Sequence, residues 1–209
     1  MKSIDTIIFD LDGTLVDSIA DIALAVNLMR KGLGLLPLPE TEVISYVGDG
    51  SKKLVERSLR GESTKFVEGL KLFMKYYREH FLDQTRLMPG VVETLERFSD
   101  KNLALVTNKM VAFTEEILNG LKIRDYFGLI LGGDSTEKIK PDPEPILQVL
   151  EYFRTPSKRA VMIGDHYTDL KAGKAAGVWT CFVDGFGRMG DVLPDISIEN
   201  LFQLQAHIR

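Results

Sequence analysis

Apolar residues along this chain follow two rhythms. Short continuous apolar runs alternate with stretches in which apolar positions recur every third or fourth residue. Runs at Ser3–Phe9, Leu103–Thr107, Gly128–Leu131, Arg159–Ile163 and Thr180–Val183 predict strands. Between them, Val92, Leu95 and Phe98 mark a helix over Val91–Asp100, and Phe113, Ile117, Leu118 and Leu121 mark one over Val111–Leu121. Ile146, Leu147, Leu150 and Phe153 mark another over Pro143–Phe153, whose proline suits a first helical turn. Asp169–Ala176 reads as a short Ala-rich helix. Strands that are apolar throughout, separated by helices, imply a Rossmann-like α/β core: a parallel sheet with helices on both faces.

Residues 18–82 break this rhythm. They hold helical patterns and no convincing strand. Ile22, Val26 and Met29 share one face of a predicted helix over Ile19–Lys31; Gly32–Pro39 reads as a loop; Ser51–Leu59 and Lys65–Phe81 read as further helices. An all-helical block spliced behind the first strand reads as an inserted cap over 18–82, on a core formed by 1–17 and 83–209. The two crossings, near Val16–Ser18 and Asp83–Gly90, would be its hinges, and Pro89-Gly90 is a turn signal that restarts the core.

Composition narrows this picture only slightly. The chain has 209 residues, 44% apolar and 27% charged, with a net charge of −4. That is the profile of a globular protein, with mixed charges and no nucleic-acid surface. No apolar run reaches membrane-spanning length and no secretory signal precedes the first strand, so a cytoplasmic location is expected. The single cysteine, Cys181, excludes an internal disulfide and a cysteine-rich metal site, and reads as a small buried strand residue.

The chemistry lies at the strand ends, where open α/β sheets place their sites. Asp10 and Asp12, with Gly13 and Thr14, follow the first strand; Thr107, Asn108 and Lys109 follow the second. Lys138-Ile139-Lys140-Pro141-Asp142-Pro143 precedes the fourth strand, and Gly164-Asp165-His166-Tyr167-Thr168-Asp169 follows it. Strand alternation lets Asp10 and Asp12 face one cavity. On a helix, Asp165 and Asp169 would be four apart and share a face. Acid, hydroxyl, cation and acid on one edge suit phosphoryl transfer. A carboxylate can be the nucleophile, a hard cation such as Mg²⁺ can offset its repulsion from phosphate, and a second carboxyl can act as acid and base.

Asp10-Leu11-Asp12-Gly13-Thr14, Val106-Thr107-Asn108, Lys140-Pro141-Asp142-Pro143 and Gly164-Asp165-x-x-x-Asp169 together resemble the four ordered motifs of the haloacid dehalogenase superfamily. The resemblance spans essentially the whole chain. Within that superfamily the text is most similar to phosphoglycolate phosphatases, through Asp12–Ser18, Val47-Gly48-Asp49-Gly50, Thr107-Asn108-Lys109, Gly132-Gly133-Asp134 and Lys140-Pro141.

The resemblance implies a role for each motif residue. Asp10 attacks phosphorus to form an aspartyl-phosphate. Asp12 is general acid and then base, and its backbone carbonyl is a metal ligand. Thr107 and Lys140 hold the phosphoryl group, and Asn108 binds it through its backbone. Asp165 binds Mg²⁺ directly, and Asp169 supports the metal from behind or through water. Gly13 provides the tight turn beside the nucleophile. The three side chains Asp10, Asp12 and Asp165 would share one ion-sized hollow.

The expected activity is that of a Mg²⁺-dependent phosphatase acting on a small phosphomonoester, with 2-phosphoglycolate the substrate the resemblance suggests. A β-phosphoglucomutase-type mutase and a pyrophosphatase share the motifs. Asp12 argues against a dehalogenase, and the retained Asp10, Asp12, Lys140 and Asp165 argue against a non-catalytic binding protein. The expected partner is a small phosphorylated metabolite, with no nucleic acid and no membrane; monomer and homodimer both stay open.

Several residues outside the motifs have two readings. Lys52 or Lys53, behind Gly48-Asp49-Gly50, would either reach an anionic substrate or lie on a solvated helix face. His166 reads as a loop histidine shaping the pocket edge, and Trp179 as core. Gly185-Phe186-Gly187-Arg188 is either cleft rim or surface loop.

Overall fold

A computed structural model describes the whole chain, Met1–Arg209. Six parallel strands form its sheet: β1 (Thr6–Phe9), β4 (Asn102–Val106), β5 (Leu129–Leu131), β6 (Ala160–Gly164), β7 (Trp179–Val183) and β8 (Ile196–Ile198). Their spatial order is β5-β4-β1-β6-β7-β8. The first strand is therefore central, with Thr6 opposite both Asn102 and Ala160.

Side chains alternate across the sheet as a strand requires. Ile7 and Phe9, Leu103 and Leu105, and Val161 and Ile163 enter one apolar cluster, with Leu95, Ile117 and Leu118 from the covering helices α5 (Val91–Arg97) and α6 (Val111–Gly120). Ile8, Ala104, Val106 and Met162 enter a second cluster on the opposite face, under α7 (Glu144–Phe153) and α8 (Tyr167–Ala176). Both faces of the central strands are thus dry, which is why their sequences are apolar throughout.

Four further helices precede the second sheet strand: α1 (Ile19–Gly32), α2 (Glu40–Ile44), α3 (Ser51–Ser58) and α4 (Phe66–His80). They have an apolar cluster of their own. Ile22, Val26 and Met29 of α1 pack with Phe73 and Tyr77 of α4 and with Leu54 and Val55 of α3. Phe113 of α6 completes this cluster from the sheet side, in edge contact with Tyr77. No helix is long and apolar enough to cross a membrane.

Three elements depart from the sequence reading. The strand β8 lies where none is expected, pairing in parallel with β7. The presumed hinges contain a two-stranded antiparallel ribbon, β2 (Val16–Asp17) with β3 (Arg86–Leu87), tied further by Arg86 donating to Asp17 at 2.6 Å. Helix α2 fills part of the unassigned stretch after the Gly32–Pro39 loop. Beside the ribbon, the buried Asp21 carboxylate accepts the backbone N–H groups of Gln84 and Thr85 and the Thr85 hydroxyl at 2.7–3.0 Å. The two chain crossings between the helices and the sheet are therefore locked together by hydrogen bonds.

Candidate active site

The C-terminal ends of β1, β4 and β6 open into one cleft between the sheet and the helices α1–α4. Its empty volume is about 750 Å³, and Asp10, Asp12, Thr107, Asn108, Asp165 and His166 line its sheet side. Ile22, Ile44, Val47, Leu54, Phe73 and Met74 line the other side.

Asp10 follows the last residue of β1 and is buried. Lys140 Nζ donates to Asp10 Oδ1 at 2.7 Å and to the Val106 carbonyl at 2.6 Å, and lies 2.6 Å from Asp169 Oδ1. Two ammonium protons are thereby hydrogen-bonded, and the Asp169 contact is an ion pair. Lys138, the rival lysine, sits outside on the surface and pairs with Asp142 at 3.6 Å.

Asp10, Asp165 and Asp169 form a cluster whose ligand oxygens all lie within 4.8 Å of one another, and all three residues are buried. Burial is the chief reason the Asp10 carboxyl is raised to about 6; Asp169 and Asp12 add to the rise and Lys140 opposes it. Burial, then Asp10 and Asp169, push Asp165 well above the usual carboxylate range. Three buried carboxyls with a single lysine among them are short of positive charge. A hard divalent cation with oxygen ligands fits that donor set.

The trio is not the one the motif spacing suggested. The Asp12 side chain stands apart from it. Ser18 donates to Asp12 Oδ1 at 2.5 Å, and Lys109 Nζ lies 3.0 Å from Asp12 Oδ2. Asp12 therefore faces the cleft, as Asp10 does, with both of its oxygens engaged elsewhere; Asp169 takes its place among the acidic side chains.

Asp165 and Asp169 also relate differently from two residues on one helix face. Helix α8 starts at Tyr167, and His166 is its N-cap. The His166 backbone N–H donates to Asp169 Oδ2 at 3.1 Å, so Asp169 caps the helix with one oxygen and pairs with Lys140 through the other. Asp165 lies ahead of the helix. Gly187 N–H donates to its Oδ2 at 2.6 Å, and the Thr14 hydroxyl to its Oδ1 at 3.4 Å. The loop Gly185–Arg188 is thus a wall of the site, with Phe186 and Gly187 lining the cleft. Gly13 has φ +84°, and a Cβ there would lie 2.6 Å from Asp165 Cγ, so this turn admits only glycine.

Thr107 is buried just beyond β4, and its hydroxyl accepts the Lys109 backbone N–H at 3.2 Å. Asn108 uses its side-chain amide on the Gly48 and Lys140 carbonyls at 2.9 and 2.8 Å, leaving its backbone N–H without a protein acceptor. His166 is buried at the cleft edge, and that burial lowers its imidazole to about 4. Lys52 and Lys53 are exposed and do not line the cleft. Trp179 starts β7, half-buried, with Lys2 and Lys158 over its ring. Cys181 is fully buried in β7.

One site residue carried no role in the sequence reading. Lys109 is buried in the cleft, bound to Asp12 and donating to the Tyr77 hydroxyl of α4 at 2.8 Å. Burial works against its charge, yet Asp12 and Tyr77 more than compensate, and its proton is held more tightly than usual. Its position after Thr107-Asn108 was the only available signal; its partners come from distant segments.

The haloacid dehalogenase-like hydrolase family matches the chain over residues 7–183. The chain is 40% identical over 198 residues to a phosphoglycolate phosphatase of Neisseria meningitidis, covering 90% of this chain and 84% of that protein. It is 37% identical over 195 residues to the Aquifex aeolicus phosphoglycolate phosphatase, covering 92% and 91%. A crystal structure described as a predicted phosphoglycolate phosphatase from Haemophilus somnus superposes with a TM-score of 0.91 at 30% identity, covering 99% of this chain and 98% of that one. With the carboxylate cluster, the lysine and the threonine all at the strand ends of this fold, the chain belongs to the haloacid dehalogenase-like hydrolases and is a phosphatase.

Proposed function

We propose that this phosphatase hydrolyses a small phosphomonoester through an aspartyl-phosphate on Asp10, with Mg²⁺ as cofactor. The observation that carries this reading is the 2.7 Å contact between Lys140 and Asp10, within a buried trio of acids open to one cleft. Asp10, Asp165 and Asp169, with the Asp12 carbonyl, would hold the metal, Asp169 acting from behind through its contact with Lys140. When bound, the cation supplies charge neutralisation between carboxylate and phosphate.

The chain's own groups do the rest. The Asp10 carboxylate attacks phosphorus in line with the departing oxygen, while Lys140, the Thr107 hydroxyl and the Asn108 backbone N–H hold the phosphoryl oxygens as charge redistributes. Asp12 gives its proton to the leaving oxygen and then takes one from the water that splits the acyl phosphate. Helices α1–α4 act as a cap whose apolar side excludes bulk water. The compact cleft favours a small substrate, and the names of the relatives make 2-phosphoglycolate the first to assay.

Purified protein should release inorganic phosphate from 2-phosphoglycolate with Mg²⁺, stop on addition of EDTA, and lose at least about a thousandfold in kcat as Asp10→Asn. Turnover by Asp10→Asn at the wild-type rate would remove the nucleophile from this reading.

A further inference from the structure

Lys109 is used by none of the steps above, yet it occupies the junction of the two halves of the cleft. Its side chain is 8% exposed and is the only lysine or arginine side chain lining the cavity. An ammonium has three donors. Lys109 has two protein partners, Asp12 Oδ2 at 3.0 Å from the sheet side and the Tyr77 hydroxyl at 2.8 Å from α4. Tyr77 is itself buried, stacked on Phe73 at 5.6 Å and against Phe113 at 5.0 Å. The cation is therefore fixed from both sides, and one N–H remains for a ligand.

Its surroundings decide what that ligand is. The wall contributed by the helices is apolar, through Ile44, Val47, Leu54, Phe73 and Met74. An anionic substituent entering such a wall loses its water and needs a fixed cation. The leaving oxygen must come within hydrogen-bond reach of Asp12 to receive a proton. A cation 3.0 Å from that same carboxyl group then stands beside the first atoms of the leaving group. A sugar ring or an uncharged alcohol gains only a hydrogen bond to a neutral oxygen there; a carboxylate one carbon from the ester oxygen gains the stronger ion-paired one.

We propose that Lys109 is the specificity-determining residue of the cleft, binding the carboxylate of a small phosphorylated hydroxy acid through its remaining N–H. The core thus reads the leaving group's charge, and the helices supply the apolar enclosure. This deepens the phosphatase reading and rests on it. Two tethers on the ammonium mean little ordering is left to do when substrate binds.

The test is steady-state kinetics with Mg²⁺ on two esters of the same length, 2-phosphoglycolate and 2-hydroxyethyl phosphate, for wild type and Lys109→Met. Wild type should prefer the carboxylate ester in kcat/KM by about a hundredfold. In Lys109→Met that ratio should collapse to within a few-fold, the change lying mainly in KM. Equal proportional losses on both esters would overturn the proposal, since they would mean that Lys109 acts only through Asp12 or the fold. Should Lys109→Met fail to fold, the wild-type ratio decides alone: no preference for the carboxylate overturns the proposal. If neither ester is hydrolysed, the proposed action on a small phosphomonoester of this size fails with it; if both are hydrolysed with a flat ratio, only the present inference fails.

Discussion

The Tyr167 hydroxyl of α8 donates to Asp49 Oδ1 at 2.6 Å, across the boundary between the sheet and the helices α1–α4. Asp49 is buried, and its other oxygen pairs with Arg57 at 2.6 Å. Burial raises its carboxyl, but the Tyr167 and Arg57 contacts overcome that and leave it below the usual range. Arg188 adds a second tie, donating to the Ser45 carbonyl at 3.0 Å. Tyr167→Phe should therefore cost about 1–2 kcal/mol of stability in urea unfolding. It should also raise KM severalfold, because the closed cleft is less populated. An unchanged KM would separate this contact from closure.

Metal and pH act on the same buried acids. Asp10 has a folded value of about 6 against 3.8 for an ordinary aspartate. Between those values the folded chain binds a proton that the unfolded chain does not, so metal-free stability falls as pH rises through this window. The change is about 2–3 kcal/mol at most for Asp10. Magnesium binds the ionised carboxylates and should reverse the trend, adding about 3 kcal/mol at a hundredfold excess over Kd. Thermal melts from pH 4 to 8, with and without Mg²⁺, check both signs; a Tm at pH 7.5 that ignores Mg²⁺ contradicts the cluster's role.

The loop after β7 should be intolerant of side chains. A Cβ on Gly187 would lie 2.6 Å from Asp165 Oδ2, the oxygen to which its own N–H donates. Gly187→Ala should push Asp165 from its place and weaken the metal by about 10–100-fold. The measurement is the Mg²⁺ concentration for half-maximal phosphate release, and an unshifted value would show the loop to be passive.

Removing Lys140 should damage fold and chemistry separately. Lys140→Met leaves Asp10 and Asp169 buried without their shared cation, a loss of about 3–5 kcal/mol. Added Mg²⁺, by neutralising those acids, or a drop toward pH 5, by protonating Asp10, should restore part of the stability. Neither should restore turnover. Recovery of activity with Mg²⁺ alone would mean that the lysine serves only the fold.

The sheet strands were legible because both of their faces are buried, so each reads as an unbroken apolar run. The strand β8 escaped notice for the opposite reason: it has three residues, its middle Ser197 is exposed, and no helix precedes it. Two-residue β2 and β3 are set by pairing across the chain and carry no local signal. Asp10, Thr107 and Asp165 could be brought together because strand ends converge by topology; Lys140, in the loop between β5 and α7, was singled out by the Lys140-Pro141 motif. The Asp12–Lys109–Tyr77 contacts could not, since they depend on how α4 docks. For Lys52 the sequence left two readings open, an inward lysine and a solvated helix face, and α3 turns that face to solvent.

The central place of β1 bears on how the protein comes to be made. Thr6 finds its neighbours only when Asn102 and Ala160 have been synthesised. A nascent chain emerging from a ribosome can collapse its helical segment early, while β1 waits for β4 along one edge and, longer still, for β6 along the other. Assembly of this sheet is intrinsically slow, because distant pairings must close before any local reward. Strand β1 is thus made before its partners and settles after them, and a chain released before Ala160 has a greasy strand with one whole edge bare.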